Sequence, residues 1–136
     1  MANYNLYKNI DPGSLSSTAS SIKSKLSTQK SKLSTYNSSL NDSIWKATAK
    51  ATLKEAFGKL DSEVYTDLDT NLGKLTQIAT QIEKYNTAKD KALAYKGYLD
   101  SATKDTPSSS IDSWKRGLSE QEGIMESCEQ AINNLL

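Results

Sequence analysis

The sequence predicts an all-α protein, an elongated antiparallel helical hairpin or three-helix coiled-coil-like bundle with a long central helix, on three observations. Apolar residues recur at helical spacing on both sides of a short polar break, Asn41-Asp42-Ser43. The two prolines, Pro12 and Pro107, leave the long stretch between them without a helix breaker. Toward the end, Ile111, Trp114, Leu118, Gln121, Met125, Cys128, Ile132 and Leu135 alternate steps of three and four without error. A stripe on each side of a polar break implies two helices folded back on one another. At 136 residues the chain has the length of a single domain with one modest core, and its helices are expected over residues 14–41, 46–103 and 109–135.

Residues 1–13 read as an irregular lead-in closed by Asp11-Pro12-Gly13, a turn and helix-start signal. The first helix carries a heptad, with Leu15, Ile22, Gln29 and Tyr36 in one seam row and Ala19, Leu26, Leu33 and Leu40 in the other. Lys23, Lys25, Lys30 and Lys32 flank that seam, where a partner helix would offer acids. Eleven serines between Ser14 and Ser39 each cost about 0.5 kcal/mol of helix propensity relative to alanine, about 5 kcal/mol together, so this helix requires docking to persist.

The second helix places Leu53, Phe57, Leu60 and Val64 on one stripe. Uninterrupted to Thr103, it would be about 85 Å long at 1.5 Å per residue, more than the first helix alone can cover. Its stripe changes step at Val64, Leu68 and Leu72, and the neighbouring Gly73 is the expected place of a bend that would compact the bundle. Beyond Tyr85 the seam weakens, with Lys89 and Lys96 in apolar positions and Leu93 and Leu99 continuing it. A break and N-cap signal, Asp105 to Ser110, then precedes the third helix, expected against the second half of the second.

Catalytic constellations are missing from the sequence. Without histidine there is no Ser-His or Cys-His pair, a single cysteine supplies no common zinc set or internal disulfide, and no glycine-rich phosphate loop occurs. A net charge of +1 lacks the basic surplus that nucleic acids or membrane surfaces attract. The opening residues carry no basic-then-apolar leader, so Sec-type export is not expected, and no apolar run is long enough to span a bilayer. The chain is therefore expected to be non-enzymatic, without cofactor or metal, with Cys128 as a core thiol and Trp114 as a core residue. Trp45, at the tip of the hairpin, offers only part of its ring for internal burial, and its free flank is a candidate docking knob.

In Ile44-Trp45-Lys46-Ala47, followed by Phe57 on the second helix, the chain resembles the Trp-x-Gly superfamily of small helical-hairpin proteins exported by bacterial type VII secretion. It departs by having Ala47 at the glycine, as a divergent branch would. Within that superfamily it looks most like the LXG-associated helical proteins, small partners of the helical N-terminal domain of LXG toxins. The Phe-x-x-x-Asp motif of some of those partners is matched by Phe57-Gly58-Lys59-Leu60-Asp61. The resemblance spans residues 14–100 and implies that Trp45, Phe57 and Asp61 serve partner binding or export, with Tyr65 and Asp69 as a weaker second copy of the pattern. Tyr7 to Asp11 repeats it too, and Phe57 with Asp61 reads equally as a seam phenylalanine and a surface ion pair with the first helix.

What the resemblance implies is a bacterial cytoplasmic protein, secreted or not through type VII secretion without a cleaved signal, that binds an LXG-domain toxin. A second small helical partner or a homodimer is compatible with it. A generic coiled-coil adaptor forming homo-oligomers is the competing reading, for which the heptads suffice, and a membrane-active helical protein is a third, supported only by amphipathic stripes. Burial favours some partner. Half of the first-helix seam is Ala, Gln or Tyr, a small gain against about 1–2 kcal/mol of backbone entropy per ordered residue.

Overall fold

A computed structural model describes residues 2–39 and 47–136. Those residues are mainly helical and include no strand: α1 (Pro12–Ser39), α2 (Ala47–Lys59), a π-helical segment (Leu60–Tyr65), α3 (Thr66–Asp100) and α4 (Ser108–Leu135). Trp45 and the polar break Asn41 to Ser43 lie outside the described residues. Helical contacts group into two compact units, Ser14–Thr76 in one and Met1–Gly13 with Gln77–Leu136 in the other.

The start of α1 follows from its sequence. Asp11 accepts a hydrogen bond from the Gly13 amide at 2.9 Å, and Pro12, whose φ suits a helix and which has no N–H to leave unpaired, takes the first helical position. Along α1 the hydroxyls bond back to carbonyls four residues earlier, as Thr28 to Ser24, Thr35 to Ser31 and Ser39 to Thr35. These hydroxyls are satisfied locally and contribute nothing to packing.

The second predicted helix is interrupted at Leu60–Tyr65 and not at Gly73, which lies within α3. Both the Thr66 amide and its hydroxyl reach the Asp61 carbonyl, five residues back, where Thr52, Ser62 and Thr70 reach four. The π segment therefore holds one residue more per turn than an α-helix. It sits where the stripe loses its spacing, so the step change marks an inserted residue.

In the unit of residues 14–76, Ala19 and Leu26 of α1 are buried with Leu72 of α3, and Tyr65 packs on that cluster. Lys30 Nζ lies 3.6 Å from Asp61 Oδ1 and Lys23 Nζ 3.7 Å from Asp69 Oδ1. Between the two pairs α1 advances seven residues (30 minus 23) while the opposite side advances eight (69 minus 61). The eighth is the residue inserted by the π segment.

The other unit is closed by α3, α4 and the first ten residues. Tyr85, Ala88 and Ala92 of α3 bury with Met125 and Cys128 of α4, and Ala2, Tyr4, Leu6 and Tyr7 pack on them. Every position of the predicted α4 stripe is buried or half-buried. The α3 seam takes another course than its leucines suggest. Leu93 is exposed and Ala88 and Ala92 carry the contact, because the small side chains admit the N-terminal segment and α4 at close range. Near the turn, the Tyr95 ring occupies the space a Cβ on Gly117 would need, and Tyr98 meets Trp114 with ring centroids 5.5 Å apart.

Between α3 and α4 the turn is fastened by threonines. The Thr103 amide donates to Thr106 Oγ1 at 2.9 Å and the Thr106 amide to the Thr103 carbonyl at 3.0 Å. No side chain caps α4 at Pro107, whose extended ψ of 136° ends the turn, so the N-cap expected within Asp105 to Ser110 is a proline with its ring-fixed φ of −58°. Among the described residues no helix is long and apolar enough to cross a membrane.

Candidate partner-binding surface

α1 presents its heptad on two rows with different fates. Ala19 and Leu26 are buried and Leu33 is half-buried, whereas Ile22 and Tyr36 of the other row are 41% and 59% exposed. Between them on the same helical stripe stand Lys25, Gln29 and Lys32, all exposed. Neither lysine has an ion pair among the described residues, unlike Lys23 and Lys30 on the flank that meets Asp69 and Asp61. The open stripe is thus apolar at both ends and cationic in its middle.

The opposite side of this unit has its own open row. A plain α-helix would keep Val64 and Leu68 on the stripe of Phe57 and Leu60 and bury them under α1. The residue inserted by the π segment turns the downstream face instead. Tyr65 and Asp69 meet α1, Leu72 is buried, and Val64 and Leu68 are left 50% and 42% exposed, with Leu75 exposed beyond them. Sequence reading placed Val64 and Leu68 in the internal seam, and the signal that relocates them is the same break in spacing.

Phe57 and Asp61 stand together beside α1. With Lys30, Leu33, Ser34 and Asn37 they line a cavity of about 260 Å³. Phe57 is half-buried, Asp61 is exposed and paired with Lys30, and the buried Asn37 Oδ1 has no hydrogen-bond partner among the described residues. Tyr65 lies on the Ala19-Leu26-Leu72 cluster and Asp69 beside Lys23. Phe57, Asp61, Tyr65 and Asp69 therefore gather along α1, while Trp45 lies outside the described residues. Both ion pairs have side chains at least 42% exposed, so each is worth under about 1 kcal/mol and orients the helices more than it holds them.

Among the described residues no group of three His, Cys, Asp or Glu side chains is placed to hold a metal ion. The resources of this surface are apolar rows, unpaired ammonium groups and a notch, which suit recognition of another polypeptide. No family model, no curated protein and no solved structure matches the chain.

Proposed function

We propose that this protein is a non-enzymatic type VII secretion partner that binds the helical N-terminal domain of an LXG-type toxin and aids its export. On this reading residues 14–76 form an antiparallel helical hairpin whose open rows receive helices of the toxin domain. The observation that carries it is the exposed stripe of Ile22, Gln29 and Tyr36, three positions of one heptad row, with Lys25 and Lys32 flanking them, beside a row buried at Ala19 and Leu26. A partner helix laid there would bury Ile22 and Tyr36 and set acids against Lys25 and Lys32. Phe57 and Asp61, beside the notch, supply the export motif, and Trp45 the tip contact.

Co-expression with a candidate LXG domain, followed by size exclusion, tests the reading. Co-elution is expected, with loss on Ile22→Lys or Tyr36→Lys and retention of helicity. Absence of co-elution, together with wild-type behaviour of Trp45→Ala and Asp61→Ala, overturns it. The fourteen-residue interval between Ile22 and Tyr36, two heptads, also suits a coiled-coil adaptor that pairs with itself. That reading predicts a concentration-dependent dimer of the isolated chain, abolished by the same two substitutions.

A further inference from the structure

Residues 2–10 form no regular helix, yet they supply one wall of the best-closed core in the chain. Ala2 is buried, and Tyr4, Leu6 and Tyr7 pack across Tyr85, Ala88 and Ala92 of α3 and Met125 and Cys128 of α4. The Tyr4 hydroxyl donates to Glu122 Oε1 at 2.6 Å, Lys96 Nζ sits 3.8 Å above the Tyr4 ring centroid, and Lys96 and Glu122 lie 3.8 Å apart. An anion for the hydroxyl and a cation over the ring, one on each helix, constitute a receptor for a tyrosine side chain.

One feature marks the segment as a strained occupant of that receptor. Tyr7 adopts φ of +58°, in the left-handed region that a β-carbon disfavours, to bring its ring 5.1 Å from Tyr85 in an edge-to-face contact. Beneath it the Tyr85 side chain is 0% exposed, and its hydroxyl faces the Leu6 backbone of the same segment. A segment that reached the same contacts without a left-handed residue would bind better.

We propose that the groove between α3 and α4 is a docking site for a tyrosine-bearing segment of a partner polypeptide, and that residues 2–10 hold it in cis as a displaceable strap. Tyr4 shows the chemistry required of the incoming segment: a phenol directed at Glu122, its ring under Lys96, and apolar residues following over Ala88 and Ala92. Departure of the strap uncovers Cys128, the single thiol of the chain, now 4% exposed. This site is distinct from the open rows of residues 14–76, so its failure leaves the secretion-partner reading where it stands.

Alkylation of Cys128 by a maleimide, followed by mass spectrometry in the absence of denaturant, tests the proposal. Tyr4→Ala is expected to speed labelling by about tenfold, and Glu122→Gln, a milder change that keeps the fold, by about threefold, with helical circular dichroism unchanged. A synthetic peptide of residues 2–10 added to the Tyr4→Ala protein should restore protection, and the same peptide with phenylalanine for its first tyrosine should do so less well. Labelling no faster in Glu122→Gln than in wild type, or a wild-type peptide without effect on the Tyr4→Ala protein, overturns it.

Discussion

In the unit containing residues 77–136 the whole α4 stripe, Ile111 through Leu135, is covered at least in part, whereas in residues 14–76 the α1 heptad is covered on one row and open on the other. Both begin from an apolar repeat of similar regularity. The closed unit adds a third element, residues 2–10, whose tyrosines and leucine fill the side that two helices leave bare. Among the described residues the open unit sets α1 against α2, the π segment and the start of α3. Two helices bury one stripe each, so a heptad wide enough for two contacts retains one unused. Regular spacing in a sequence thus does not show whether the chain buries the surface that the spacing marks.

The sharpest way to break this contrast is to hollow each side. Met125→Ala, at a fully buried position, should lower the free energy of unfolding in urea by about 3 kcal/mol, against under about 0.5 kcal/mol for Leu68→Ala on the open row. Equal losses would erase the distinction. Glycine substitutions probe the same difference more gently. Gly117→Ala would force a methyl into the Tyr95 ring and should destabilise by about 1–2 kcal/mol, whereas Gly73→Ala meets nothing within 4 Å and should stabilise by up to about 1 kcal/mol. Thermal unfolding of the two variants gives opposite signs if the packing is as described.

Alkali discriminates the units next. Burial raises the pKa of Cys128 and of Tyr4, Tyr7 and Tyr85, with the charge of Glu122 adding at Tyr4 and that of Glu129 at Tyr7 and Tyr85, while Lys84 partly opposes the shift at Cys128. Their protons are held more tightly folded than unfolded. This contribution is complete below the unfolded values and is lost as pH rises, beginning near the ordinary thiol range of about 8.5 and continuing past the tyrosine value of about 10. Melting temperature should therefore fall across that window, and Cys128→Ala should delay the onset of the fall. The smallest effect belongs to the open unit. A double-mutant cycle on Lys30 and Asp61 should return a coupling of about 0.5 kcal/mol or less, diminishing with salt.

Where a residue's own chemistry declared its role, the fold was legible. The α4 stripe and the helix start at Asp11-Pro12 needed only spacing and a proline. The α3 seam was not, because Ala88 and Ala92 carry too little hydrophobic signal to compete with Leu93, and their value as close-approach residues depends on what lies opposite. Nor was the strap, since Ala2, Tyr4, Leu6 and Tyr7 follow no helical period. The broken spacing around Val64 was visible. Without coordinates a glycine bend and an inserted residue are alternative explanations for it, and only the five-residue reach of Thr66 to Asp61 separates them. For the candidate site, Phe57, Asp61, Tyr65 and Asp69 could be placed on the second helix from spacing, but not the rotation that exposes Val64 and Leu68 beside them.

The π segment has one more consequence. Each residue of an α-helix advances the face by about 100°, and a turn that takes in an extra residue absorbs that angle locally. Removing any one exposed residue there, Ser62 for instance, should let the backbone relax to ordinary helix while Asp69 still finds Lys23. The same deletion midway along α4 would swing all later side chains off the core. The segment is a tolerance joint, a place where chain length can vary by a unit without changing which neighbours meet.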